Sequence, residues 1–160
     1  MRSFQVFGGM QAEHATRMLR TLSKAVPQVF REALDAAALA SKSRPTYLRS
    51  QPFERRAQAV RRALSRVASN VLADEILAVY FLECRKELLV EWLDVAGLAH
   101  EDGTLEEEEP AQPEEATLSA AVQKFLGADD DEDRRLLLRA FSAQQAIDWP
   151  LLDALLAEEP

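Results

Sequence analysis

The sequence predicts an all-α protein: a helical bundle of about four helices with a small C-terminal helical subdomain. Three observations carry that expectation. Ala 26, Leu 23, Glu 17 and Lys plus Arg 19 account for 85 of 160 residues, and these side chains lose little freedom on entering a helix. Val, Ile and Thr, which strands favour, number only 10, 2 and 5. Between Gly9 and Gly97 lie 87 residues without glycine, the residue that tight hairpins most need.

Prolines punctuate the first half instead. Pro27, Pro45 and Pro52 divide it into helices at about 10–25, 27–42 and 53–69, with residues 43–52 read as a connecting loop. Met18, Leu19, Leu22 and Val26 recur at helical spacing, and Val29, Phe30, Ala33, Leu34 and Ala37 continue the pattern. Val26-Pro27 either separates two helices, with proline at a first-turn position, or kinks one. The strongest element is a helix over 71–98, in which Leu77, Phe81, Cys84, Leu88, Trp92 and Val95 follow 4-3-4-4-3 spacing. Gly97 is expected to end it as a C-cap residue. Its continuity with the preceding helix through Ser69-Asn70 is left open by the pattern.

Residues 1–98 therefore read as the main bundle. Residues 99–116, with Asp102-Gly103, the run Glu106–Glu109, Pro110 and Pro113, read as a turn and a mobile acidic linker. Residues 117–160 read as a small helical subdomain, with helices at about 117–126, 130–146 and 149–157. About 40 residues are marginal for independent folding, so this unit is expected to dock on the bundle.

Charge is distributed unevenly. Residues 1–73 hold 13 Lys or Arg against 4 Asp or Glu, a net +9, whereas residues 74–160 hold 6 against 23, a net −17. Such asymmetry suits either internal pairing or partners of opposite charge. The single cysteine cannot form an internal disulfide, and no long apolar run is present, so a cytoplasmic protein with no membrane association is expected.

Arg55, Arg56, Arg61, Arg62 and Arg66 form the main candidate site. Guanidinium groups match phosphate oxygens bidentately, so this helix could bind nucleic acid or an acidic protein. No helix-turn-helix, ribonucleoprotein or zinc-finger signature accompanies it. Glu83, Glu87, Glu91 and Asp94 form a carboxylate row that a divalent-metal hydrolase could use, but only Glu91-x-x-Asp94 resembles half of such a motif. Asp129, Asp131 and Asp133 imitate the start of a calcium loop, yet Arg134 stands where glycine is needed and Ala140 where glutamate is needed. The sequence gives no reason to expect a bound metal or cofactor. His14 and His100 fall in separate segments, and Cys84 reads as a buried hydrophobe. The pattern points to a non-catalytic module that binds a protein partner or forms a homo-oligomer, with nucleic-acid binding and metal-dependent hydrolysis as competing readings.

Overall fold

The computed structural model describes residues 1–158; Glu159 and Pro160, at the end of the expected C-terminal subdomain, lie outside the described residues. The fold is all-α, with ten α-helices and one hairpin of two-residue strands among the described residues. None of these helices is long and apolar enough to cross a membrane. Contacts divide the chain into two compact units, Arg2–Cys84 and Arg85–Pro160, the second joined by Met1.

In the first unit, α2 (Ala12–Ala25), α3 (Pro27–Ala40) and α5 (Phe53–Leu64) pack against one another in all three pairings. Small residues permit that approach: Ala15, Ala33, Ala37, Ala38, Ala57 and Ala63 are buried between Met18, Leu19, Leu22, Leu34, Val60 and Leu64. Pro27 takes the first position of α3, so Val26-Pro27 separates two helices. Two short helices depart from the sequence reading. Residues Ser3–Gly9 form α1, whose Val6 and Phe7 are buried and which packs on α5 and α6 (Asn70–Val79). Pro45–Arg49, expected as loop, forms α4, with proline again at the first turn and Leu48 buried. A 3-10 turn at Val67–Ser69 separates α5 from α6.

The expected long helix over 71–98 is broken. After α6 the backbone widens into a π-helical turn, Tyr80–Cys84, and Arg85 leaves helical geometry at φ −134°, ψ 41° before α7 (Lys86–Val95) begins. Tyr80 and Phe81, adjacent in this turn, are both buried and their rings meet edge-on at 5.1 Å. The apolar stripe thus serves two cores: Leu77 and Phe81 in the first unit, Leu88 and Trp92 in the second. Gly97 does end α7, at φ +72°. Its N–H donates to Asp94 O and that of Leu98 to Leu93 O, the paired bonds of a left-handed helix terminus that favours glycine.

In the second unit α8 (Glu115–Leu126) and α9 (Glu132–Ala143) pack on α7, and α10 (Pro150–Glu158) packs on α8 and α9. Trp92 of α7 is fully buried, 5.5 Å from Phe125 and 5.8 Å from Phe141, and Phe141 meets Trp149 at 5.3 Å. Helix α7 adds Leu88, Trp92 and Leu93 to the core of these C-terminal helices. Asp102 and Gly103, both at positive φ, turn the hairpin between His100–Glu101 (β1) and Thr104–Leu105 (β2). Along the acidic stretch, Pro110 is buried and its carbonyl accepts from Trp149 Nε1 at 2.8 Å, while Gln112 Oε1 accepts from Leu151 N–H.

Replacing Trp92 with alanine is expected to cost about 3–5 kcal/mol. Urea unfolding followed by the fluorescence of Trp149, then the only tryptophan, measures it.

Candidate functional site

The five arginines of the basic segment have different roles. Helix α5 buries Ala57, Val60, Ala63 and Leu64, which directs its arginines to the flanks and the outer face. Arg61 is half-buried, and its Nη2 donates to the carbonyl of Met10, the C-cap residue of α1. Arg66 donates from Nη1 to Ala40 O, the last residue of α3, at 3.1 Å. Both supply a cation and a donor where a helix leaves carbonyls unpaired. Arg56 lies over the rings of Phe53 and Phe30, 5.2 and 6.0 Å from their centroids, and the two rings stack at 5.5 Å. Arg55 and Arg62 are exposed, and their side chains make no hydrogen bond or ion pair with the described residues. Seven residues apart, they share one face of α5.

The carboxylate row is split by the break at Arg85. Glu83 sits exposed in the π turn of the first unit. In the second unit Glu87 accepts from Arg85 Nε at 2.7 Å, and Glu91 takes both terminal nitrogens of Arg134 at 2.8 and 3.0 Å. Asp94 Oδ1 meets His100 Nε2 at 2.7 Å. Gly103 N–H donates to His100 Nδ1, so the neutral ring carries its proton on Nε2 and donates it to Asp94. No group of three His, Cys, Asp or Glu among the described residues is placed to hold a metal ion.

The aspartates of the calcium-like segment start α9. Asp131 caps that helix, accepting from Asp133 N–H at 3.0 Å, and it also takes Arg85 Nη2 at 2.6 Å; Arg85 reaches Asp133 as well. Arg134, only 5% exposed, is enclosed by Glu91, by both oxygens of Asp129, by Phe125 O and by the Phe125 ring 4.8 Å away. Hydrogen bonds that Arg134 donates to Asp129 and Glu91 raise its pKa against its burial, and those it gives Asp129 hold that carboxyl below its usual range. For Arg85 burial opposes the charge, but Asp131, Glu87 and Asp133 outweigh it and raise its pKa. Cys84, expected to be buried, is half-exposed at the end of the π turn.

The sequence pattern did not reveal a cavity of about 380 Å³ in the first unit, lined by Pro27, Phe30, Arg31, Arg49, Phe53 and Arg56 among others. These side chains come from α3, α4 and α5, so no local spacing joins them. Arg49 pairs with Asp35 at 2.6 Å, and Arg20 pairs with Glu54 at 2.8 Å while lying 4.7 Å from the Phe53 centroid. A hydrogen bond from its own backbone and the Arg20 guanidinium keep Glu54 ionised to lower pH than an ordinary glutamate. No family model, curated protein or solved structure matches this chain.

Because its folded pKa is lowered, the Asp129 contribution to stability is present above the unfolded-chain value of about 3.9. It is lost as pH falls through the lower folded value. Asp129→Asn is therefore expected to destabilise the protein at pH 7, and the gap to wild type should close toward pH 2. Urea titrations across that range check this; a constant gap would contradict it.

Proposed function

We propose that this chain is a non-catalytic helical interaction module of the cytoplasm that engages an acidic protein surface, a second copy of itself included. The observation that carries this reading is a set of exposed aliphatic side chains: Leu39 is 83%, Val71 73% and Val67 63% exposed. Single exposed aliphatics are ordinary, but these are linked. Arg66 and Ala40, joined by a hydrogen bond, are the chain neighbours of Val67 and Leu39, and Val71 follows Val67 by one turn. Lys42, Arg62 and Arg66 are exposed in the same segments, giving an apolar patch with a basic rim. The first unit carries 13 Lys or Arg against 7 Asp or Glu, and the whole chain is −8, so another copy has acidic surface to offer. The finer architecture, a bundle of about four helices with a small C-terminal subdomain, belongs to the same reading.

A second reading, nucleic-acid binding by α5, draws on Arg55 and Arg62, which are exposed and unpaired. Two phosphate contacts correspond to a log–log salt slope of only about 2, which fits weak association. Metal-dependent hydrolysis through Glu83, Glu87, Glu91 and Asp94 has less support, since Glu87, Glu91 and Asp94 are each hydrogen-bonded to a cationic or imidazole partner.

Leu39→Asp with Val71→Asp is expected to leave stability within about 1 kcal/mol, as both sites are exposed. Self-association, or capture of an acidic partner, should weaken about tenfold or more, because each site places a charge in the apolar patch. Sedimentation and pulldown with wild type and variant measure this. A strict monomer that recovers the same proteins with and without the substitutions would count against the proposal.

A further inference from the structure

We propose that the cavity between α3, α4 and α5 is a binding site for a small phosphate monoester, a dianionic phosphate with a compact apolar remainder. Three arginines from three helices line it, Arg31, Arg49 and Arg56, and no Asp or Glu does. Of the three, only Arg49 makes an ion pair among the described residues, with Asp35. Glu54, whose titration responds to Arg56, is hydrogen-bonded to Arg20. The side chains of Arg31 and Arg56 make no hydrogen bond or ion pair with the described residues. Arg56 is held by ring contacts alone, and its Nε is buried without a partner. Cations that line one cavity repel one another, and Arg49 alone of the three makes an ion pair among the described residues.

A phosphate monoester carries close to two negative charges at neutral pH, enough to offset the two guanidiniums that form no ion pair, and its oxygens accept the forked N–H pairs that arginine presents. A volume of about 380 Å³ exceeds what bare phosphate needs and falls within the range of small-molecule pockets. Pro27, Phe30 and Leu34 supply apolar wall for the remainder. Fixed ring contacts leave Arg56 little rotamer freedom to lose on binding. The site uses none of Leu39, Val67 and Val71, so it stands or falls separately from the partner surface.

Calorimetry on the full chain with phenyl phosphate and inorganic phosphate tests the assignment, alongside Arg31→Ala and Arg55→Ala. Arg31 is exposed, so its loss should leave the melting temperature unchanged. Phenyl phosphate is expected to bind more tightly than inorganic phosphate. Arg31→Ala should weaken it about tenfold or more, and Arg55→Ala, which removes the same charge away from the cavity, should not. Absence of binding at millimolar phenyl phosphate would overturn the proposal. So would binding that Arg31→Ala leaves intact, or that Arg55→Ala reduces equally.

Discussion

Short helices leave their last carbonyls without partners, and in this protein three such ends are closed by arginines from other segments of the chain. Arg61 reaches Met10 at the end of α1, Arg66 reaches Ala40 at the end of α3, and Arg134 reaches Phe125 in the last turn of α8. An unpaired carbonyl near the interior costs about 1–3 kcal/mol, and a donor that also brings positive charge complements the helix dipole. The N-terminal ends are treated differently: among the helices with a described cap, only α9 receives a side-chain hydrogen bond of the Asp131 kind, although α1 is served by Gln5, which accepts from Arg2 N–H. The packing therefore depends on where guanidinium groups reach as much as on the apolar stripes.

That dependence changes the meaning of the charge pattern. A helix with five arginines in and beside it looks like a cationic face, yet two of them bond to helix ends and a third lies against phenyl rings. Its exposed, unpaired charge is reduced to Arg55 and Arg62, while the first unit's converging cations lie at the cavity of Arg31, Arg49 and Arg56. In the second unit a similar division applies to carboxylates. Glu91, Asp129 and Asp131 are bound to Arg134 and Arg85, whereas Glu106–Glu109 are exposed. Net charge along a sequence counts all of these equally; their availability is set by tertiary hydrogen bonds.

The legible parts of the fold were those governed by local chemistry. Pro27 marks a helix start because its ring suits the first turn, and Gly97 marks an end because a left-handed residue is needed there. The Asp102-Gly103 turn was equally visible, though not the short strands it joins. What the pattern concealed was tertiary in origin. The stripe from Leu77 to Val95 has unbroken helical spacing, and nothing in that spacing marks the π turn at Tyr80–Cys84 or the break at Arg85. Helices α1 and α4 are too short to show a period. Of the candidate site, the arginines were visible as a group, but spacing on one helix could not separate those that bond to carbonyls from those that face solvent. The cavity was invisible because its walls come from separate helices.

The most direct test of this division is an alanine scan of α5 and its flank, read by urea unfolding at neutral pH. Arg61→Ala is expected to cost about 1.5–3 kcal/mol, the range for a hydrogen bond to a charged group at a half-buried site. Arg66→Ala should cost less because that side chain is exposed, and Arg55→Ala and Arg62→Ala should fall within about 0.5 kcal/mol of wild type. An Arg61→Ala protein as stable as Arg55→Ala would contradict the account, because it would mean that the end of α1 does not depend on the guanidinium that reaches it.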